Sequence, residues 1–168
     1  MLKTTFLNNV LNQYKIKRYL VLLFLIIFSS TTFSETKLVI LGSGTPNPDP
    51  NRYGSGYAII VNEKACIVDF GPGIVRRISA MSPSWGGEFS AMELENINIA
   101  FLTHIHSDHS GALADLILTP WVMGRDEPLK LFGPQGLKRM AKKITEAYED
   151  DINYRLYGSQ PANKLGYV

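Results

Sequence analysis

Short apolar runs bounded by Gly, Pro, Asn and Asp fall at 37–41, 56–61, 65–69, 97–102 and 129–132, and they predict five strands. Apolar residues recur at helical spacing over 74–81, 112–123 and 136–150, which predicts three helices. Asn62-Glu63-Lys64 reads as the turn of a hairpin, and Ser82 to Gly87 as an exposed loop. Strands come first, and strand and helix then alternate. That order fits half of a layered α/β sandwich, with one apolar sheet face left uncovered and poor solubility as the consequence.

The first 34 residues follow a different pattern. Lys3, Lys15, Lys17 and Arg18 precede a ten-residue apolar run from Tyr19 to Phe28, and small polar residues follow from Ser29 to Ser34. This is the layout of a secretory signal peptide over 1–34, cut before Glu35, and it predicts a periplasmic or secreted body over 35–168. The run is too short for an ordinary spanning helix, so no stable membrane span is expected after cleavage; an uncleaved anchor is the alternative. The head holds four of the 17 basic residues and none of the 15 acidic ones, so the remainder carries 13 basic against 15 acidic, a net of −2. The basicity of the chain therefore belongs to its head. The one dense basic group in the body, Lys138, Arg139, Lys142 and Lys143, reads as a solvated helix face, so nucleic acid is not an expected partner. With 45% hydrophobic and 19% charged residues the chain as a whole has the composition of a folded domain. The single cysteine, Cys66, excludes an internal disulfide and a thiolate zinc finger, and its apolar setting predicts a buried, inert thiol.

Candidate chemistry concentrates in one place. All three histidines lie in Thr103-His104-Ile105-His106-Ser107-Asp108-His109, directly after an apolar run. On an extended segment residues two apart project to the same side, so His104 and His106 can reach one cation. Ser107 turns the chain, and Asp108 and His109 follow near enough to hold a second cation, with the carboxylate balancing charge. Imidazole and carboxylate without thiolate suit zinc first, with iron or manganese as alternatives.

His104, His106, Asp108 and His109 stand as the His-x-His-x-Asp-His signature of the metallo-β-lactamase superfamily, which this chain resembles. Lys37 to Pro46 and Ile67 to Gly73 resemble the opening strands and loops of its ribonuclease Z and arylsulfatase-like branch, and Leu129 to Gly136 and Glu146 to Asp150 are similar to that branch as well. The resemblance implies an α/β fold of the αββα sandwich type with its first half present, residues 35–168 being the N-terminal part of a truncated domain. It implies a pair of zinc ions held in part by His104, His106, Asp108 and His109, with Asp108 also catalytic, orienting or deprotonating a metal-activated water. Asp69 is implied to support the metal loop through hydrogen bonds. By the same resemblance Gly42-Ser43-Gly44-Thr45 borders the metal cleft; read from its residues it is a tight turn needing glycine, and it lacks the lysine of a P-loop.

The family completes its site with a further histidine, a bridging aspartate and a last histidine. No histidine follows His109, and Asp115, Asp126, Glu127, Glu146, Glu149, Asp150 and Asp151 read as solvated faces. The expected activity is a metal-dependent hydrolase of phosphodiesters, sulfate esters or related small-molecule esters. One alternative is a catalytically inactive truncated remnant, or a metal-binding module lacking the second half of the site. Within the family the alternative is a tRNA 3′-processing endoribonuclease, and members of the family often form homodimers.

Overall fold

Strand formation begins where side chains can divide between two environments. The computed structural model describes residues 12–21 and 35–159. The chain separates into two compact units, Met1–Ser34 and Glu35–Val168. In the first unit residues 12–21 are helical and exposed. No helix among the described residues is long and apolar enough to cross a membrane. Most of the apolar run and all of the small polar residues behind the signal-peptide expectation lie outside the described residues.

In the second unit five strands, β1 (Thr36–Gly42), β2 (Gly56–Val61), β3 (Lys64–Val68), β4 (Ile99–Phe101) and β5 (Lys130–Phe132), form one mixed sheet in the order β1-β2-β3-β4-β5. The first three pair antiparallel, and β4 and β5 join in parallel. The β2–β3 hairpin closes through Asn62 and Glu63, whose φ values of 48° and 58° are those of a type I′ turn, the geometry that matches strand twist. The parallel strands arrive through helical crossovers, as parallel pairing requires. These are α1 (Ile74–Met81) before β4, and α2 (Ser107–Ser110) with α3 (Leu113–Val122) before β5. Then α4 (Leu137–Ala147) and α5 (Glu149–Tyr157) close the described chain.

Register puts Val39, Leu41, Ala58, Ile60, Ala65, Ile67, Ala100 and Leu131 on one face, against Ile74, Ile78, Leu113, Leu116, Ile117 and Trp121 of the helices. The opposite face carries Leu38, Ile40, Ile59, Val61, Phe101 and Phe132, and all six are exposed, Leu38 by 66% and Phe132 by 50%. Phe101 and Phe132 stack there at 5.0 Å. The expected half-sandwich with one uncovered apolar face is therefore what the described residues build. Cys66 corrects an expectation: it shares this open face with Ile59, is only half-buried, and partial burial pushes its thiol above the ordinary value. It is not a core residue.

Two differences from the predicted elements have local causes. The helix expected over 136–150 breaks at Tyr148, and Glu149, Asp150 and Asp151 fill the first turn of α5, where carboxylates complement the helix dipole. The loop at 82–87 contains a 3₁₀ turn over Pro83–Trp85, and two more occupy Ser90–Met92 and Leu94–Asn96. One-turn segments of this kind leave no periodic signal.

Arg125 is fully buried, although no local pattern around it marks a core position. Pro120 lies inside α3 and has no N–H for the carbonyl of Leu116, four residues back. Arg125 Nη1 donates to that carbonyl at 3.2 Å and to Ile97 at 3.3 Å, Nη2 donates to Ile117 at 2.9 Å, and Nε to Glu127 at 3.1 Å. The guanidinium thus repairs the helix and ties it to the segment entering β4. Burial lowers its pKa to about 10, so it stays charged at neutral pH. Arg125→Met, which keeps length and removes the donors, is expected to cost about 3 kcal/mol by leaving buried carbonyls unpaired. Chemical denaturation checks this, and a loss within the scatter of surface substitutions would show that the carbonyls find other partners.

Candidate metal centre

The end of β3 delivers Asp69, and the end of β4 delivers Thr103 and the histidines, because parallel neighbours finish on the same edge of a sheet. Asp69 is 2% exposed and takes φ 60°, a left-handed conformation that a non-glycine residue adopts only when its surroundings hold it there. Its N–H donates to Phe101 O at 2.8 Å. Its carboxylate collects donors: the Thr103 N–H at 2.8 Å and the Thr103 hydroxyl at 2.9 Å from either oxygen. His109 Nδ1 lies 2.7 Å from Oδ2. A carboxylate only accepts, so His109 carries its proton on Nδ1 and keeps Nε2 as the lone-pair nitrogen. The expected support of the metal loop by Asp69 has this form.

His106 is extended at φ −68°, ψ 149°, and its carbonyl accepts from the N–H groups of His109 and Ser110, which starts the single turn α2. The turn is stitched to the neighbouring loops by backbone bonds. Ser55 N–H donates to Asp108 O at 2.9 Å, Phe70 N–H to His109 O at 2.7 Å, and Gly71 N–H to Ser55 O at 2.9 Å. A Cβ on Gly71 would stand 2.0 Å from Asp108 O, so this approach requires glycine.

The four predicted ligands are brought together. The rings of His104 and His106 meet edge to face with centroids 4.7 Å apart, and those of His104 and His109 lie at 4.0 Å. Asp108 Oδ2 stands 3.5 Å from His109 Nε2. Asp108 Oδ1 is buried without a hydrogen-bond partner, the state of a carboxylate oxygen that a cation would satisfy. Donor chemistry and this orphaned oxygen fit a hard or borderline divalent ion. Among the described residues no group of three or more His, Cys, Asp or Glu side chains is arranged to hold an ion by itself.

The downstream carboxylates lie elsewhere. Glu127 pairs with Lys130, Asp151 with Arg155, and Asp115 accepts from Thr119. Glu146 takes Lys142 and Lys143, which lower its pKa, the hydrogen bond to Lys143 most, so the basic group on α4 is a partly neutralised surface. Beside Asp108 runs a groove of about 440 Å³ lined by Thr45, Asn47, Arg52, Tyr53 and Ser107 among others. Gly44 N–H is used by Tyr53 O at 2.7 Å, and a Cβ on Gly42 would stand 2.0 Å from Gly54 O, so the segment from Gly42 to Thr45 is a tight turn on the border of the cleft. What sequence reading did not single out is the hydroxyl of Thr103 and the backbone brace from Ser55.

Comparison with known proteins agrees with this geometry. The sequence profile of the Metallo-beta-lactamase superfamily matches residues 50–140. Ribonuclease Z of Mycobacterium bovis (strain BCG / Pasteur 1173P2) is 32% identical over 123 residues, covering 71% of this chain and 41% of the relative, and Ribonuclease Z of Mycobacterium avium (strain 104) gives the same figures. Among solved structures, the short form of human tRNase Z superposes with TM-score 0.56 at 23% identity, over 68% of this chain and 40% of that one. A long form RNase Z from yeast gives 0.56 at 14% identity, over 76% and 18%. These likenesses show the α/β fold. The chain spans about two fifths of the length of the curated relatives it matches. They also correct the expectation set against nucleic acid, because the relatives are ribonucleases by name and one is named for tRNA. That expectation rested on sparse Lys and Arg; overall charge and one helix face bear on non-specific attraction, not on what a metal centre cleaves.

Asp69→Asn keeps shape but cannot accept equally from all three donors. It is expected to lower stability by about 2 kcal/mol, the scale of lost hydrogen bonds to a charged group. Thermal or chemical unfolding reads the loss, and an unchanged midpoint would show that the loop holds without the carboxylate.

Proposed function

We propose, from the premise that this chain belongs to the metallo-β-lactamase superfamily, that it supplies the His-Asp-His portion of a zinc-dependent hydrolase cleaving phosphodiester bonds in RNA. The observation that carries this reading is the buried, unpartnered Oδ1 of Asp108 among three histidines at the end of β4. Divalent cations in such a setting acidify water and offset charge on an ester phosphate. His104 and His106 would hold one cation, and Asp108 and His109 would contribute to a second. Asp108 would also orient the attacking water and accept its proton on a carboxylate oxygen. Asp69 and the backbone of Ser55 and Phe70 brace the segment that carries the donors.

The names of the relatives support RNA as the substrate class. The N-terminal order of basic residues, apolar run and small polar residues supports export of the body to the periplasm or beyond. Export also supports a second reading, hydrolysis of a small phosphate or sulfate ester met outside the cytoplasm.

A zinc-loaded preparation of the gene product, assayed on a 3′-extended tRNA precursor, bis(4-nitrophenyl) phosphate and 4-nitrophenyl sulfate, separates the readings. Cleavage of the RNA is expected, and loss of a supporting residue at such centres costs 10-fold to 100-fold, so His106→Ala is expected to lose about 100-fold or more. Turnover of the sulfate ester alone would replace the RNA reading. Equal rates for His106→Ala and the unaltered protein would overturn the metal assignment.

A further inference from the structure

We propose that Thr103 is a positioning residue that relays the Asp69 carboxylate to His104 and sets the tautomer of that imidazole. The Thr103 hydroxyl lies 2.9 Å from both oxygens of Asp69 and 3.0 Å from His104 Nδ1. A hydroxyl has one proton and two lone pairs. The carboxylate cannot donate, so the Thr103 proton goes to Asp69, and only a lone pair of Oγ faces His104. His104 must then present Nδ1–H to it, which leaves the lone pair on Nε2. The Thr103 N–H, bonded to Asp69 Oδ1 at 2.8 Å, fixes the backbone of Thr103 beside the carboxylate that its hydroxyl also meets.

The same carboxylate accepts directly from His109 Nδ1 at 2.7 Å. One buried group therefore dictates the proton position on two imidazoles, on His109 by contact and on His104 through one hydroxyl. The chemistry needs this because an Nε2–H imidazole cannot offer that nitrogen to a cation. The value of the relay to the centre rests on the metal reading above, whereas the tautomer itself is a property of the metal-free chain.

The test is long-range proton–nitrogen NMR of the full metal-free chain carrying labelled histidine, at a pH where the imidazoles are neutral. His104 is expected as the Nδ1–H tautomer. Thr103→Val removes the hydroxyl at nearly constant volume and should make the Nε2–H form dominant at His104 while His109 is unmoved; Thr103→Ser should restore the first state. Finding His104 as Nε2–H in the unaltered chain overturns the proposal without any variant. So does an unchanged His104 in Thr103→Val, or a matching change at His109, which would mark collapse of the loop. In a parallel zinc titration Thr103→Val should bind about tenfold more weakly, with Thr103→Ser restored; a shifted tautomer with unchanged affinity refutes a positioning role. Failure of the unaltered chain to bind zinc, with the tautomers as expected, refutes the metal reading and leaves the relay standing.

Discussion

The carboxylate of Asp69 is the point on which the architecture of the site turns. It sits just past the end of β3 in a left-handed conformation, and three donors from the segment after β4 converge on it. The parallel pairing of β3 with β4 brings the two strand ends together, and the carboxylate converts that proximity into a fixed loop. Gly71 then lets the turn carrying Asp108 approach closely enough for backbone bonds to complete the brace. The histidines are thus held by the fold around them more than by each other. Three imidazoles and a carboxylate with an unsatisfied oxygen, crowded at one sheet edge, make sense as a charge sink for a cation.

The rest of the structure divides into a finished side and an open one. On the helix side Leu113, Leu116, Ile117 and Trp121 pack against the sheet, and Arg125 repairs the hydrogen bond that Pro120 cannot make. On the other side Leu38, Ile40, Phe101 and Phe132 form an apolar surface that the described residues leave bare. Exposed patches of this kind are interaction surfaces or liabilities. The candidate metal centre has a parallel character, since its donors converge without three of them, among the described residues, closing around one point.

Much of this was legible in the chain because the relevant signals are local. The runs at 56–61 and 74–81 carry apolar residues at strand and helix spacing, and the observed β2 and α1 have those same limits. The candidate ligand cluster is contiguous, so spacing alone brings its members near one another. What was not legible depends on partners distant in sequence. Arg125 reads as a surface cation until Ile97 and Leu116 are placed around it. Cys66 reads as core because its strand is apolar, but its face has no cover among the described residues. Thr103 reads as a strand residue until Asp69 is placed beside it. Charge composition misled about nucleic acid, since it reports the whole surface and not the site.

The measurement that bears most directly on the account is the absorption spectrum of the gene product loaded with cobalt(II), with His104→Ala, His109→Ala and Asp108→Ala alongside. Imidazole and carboxylate ligation predicts ligand-field bands without an intense thiolate charge-transfer band, and each of the three substitutions should alter or abolish them. A thiolate band traced to Cys66, or a spectrum indifferent to all three substitutions, would contradict the assignment of this cluster as the metal centre.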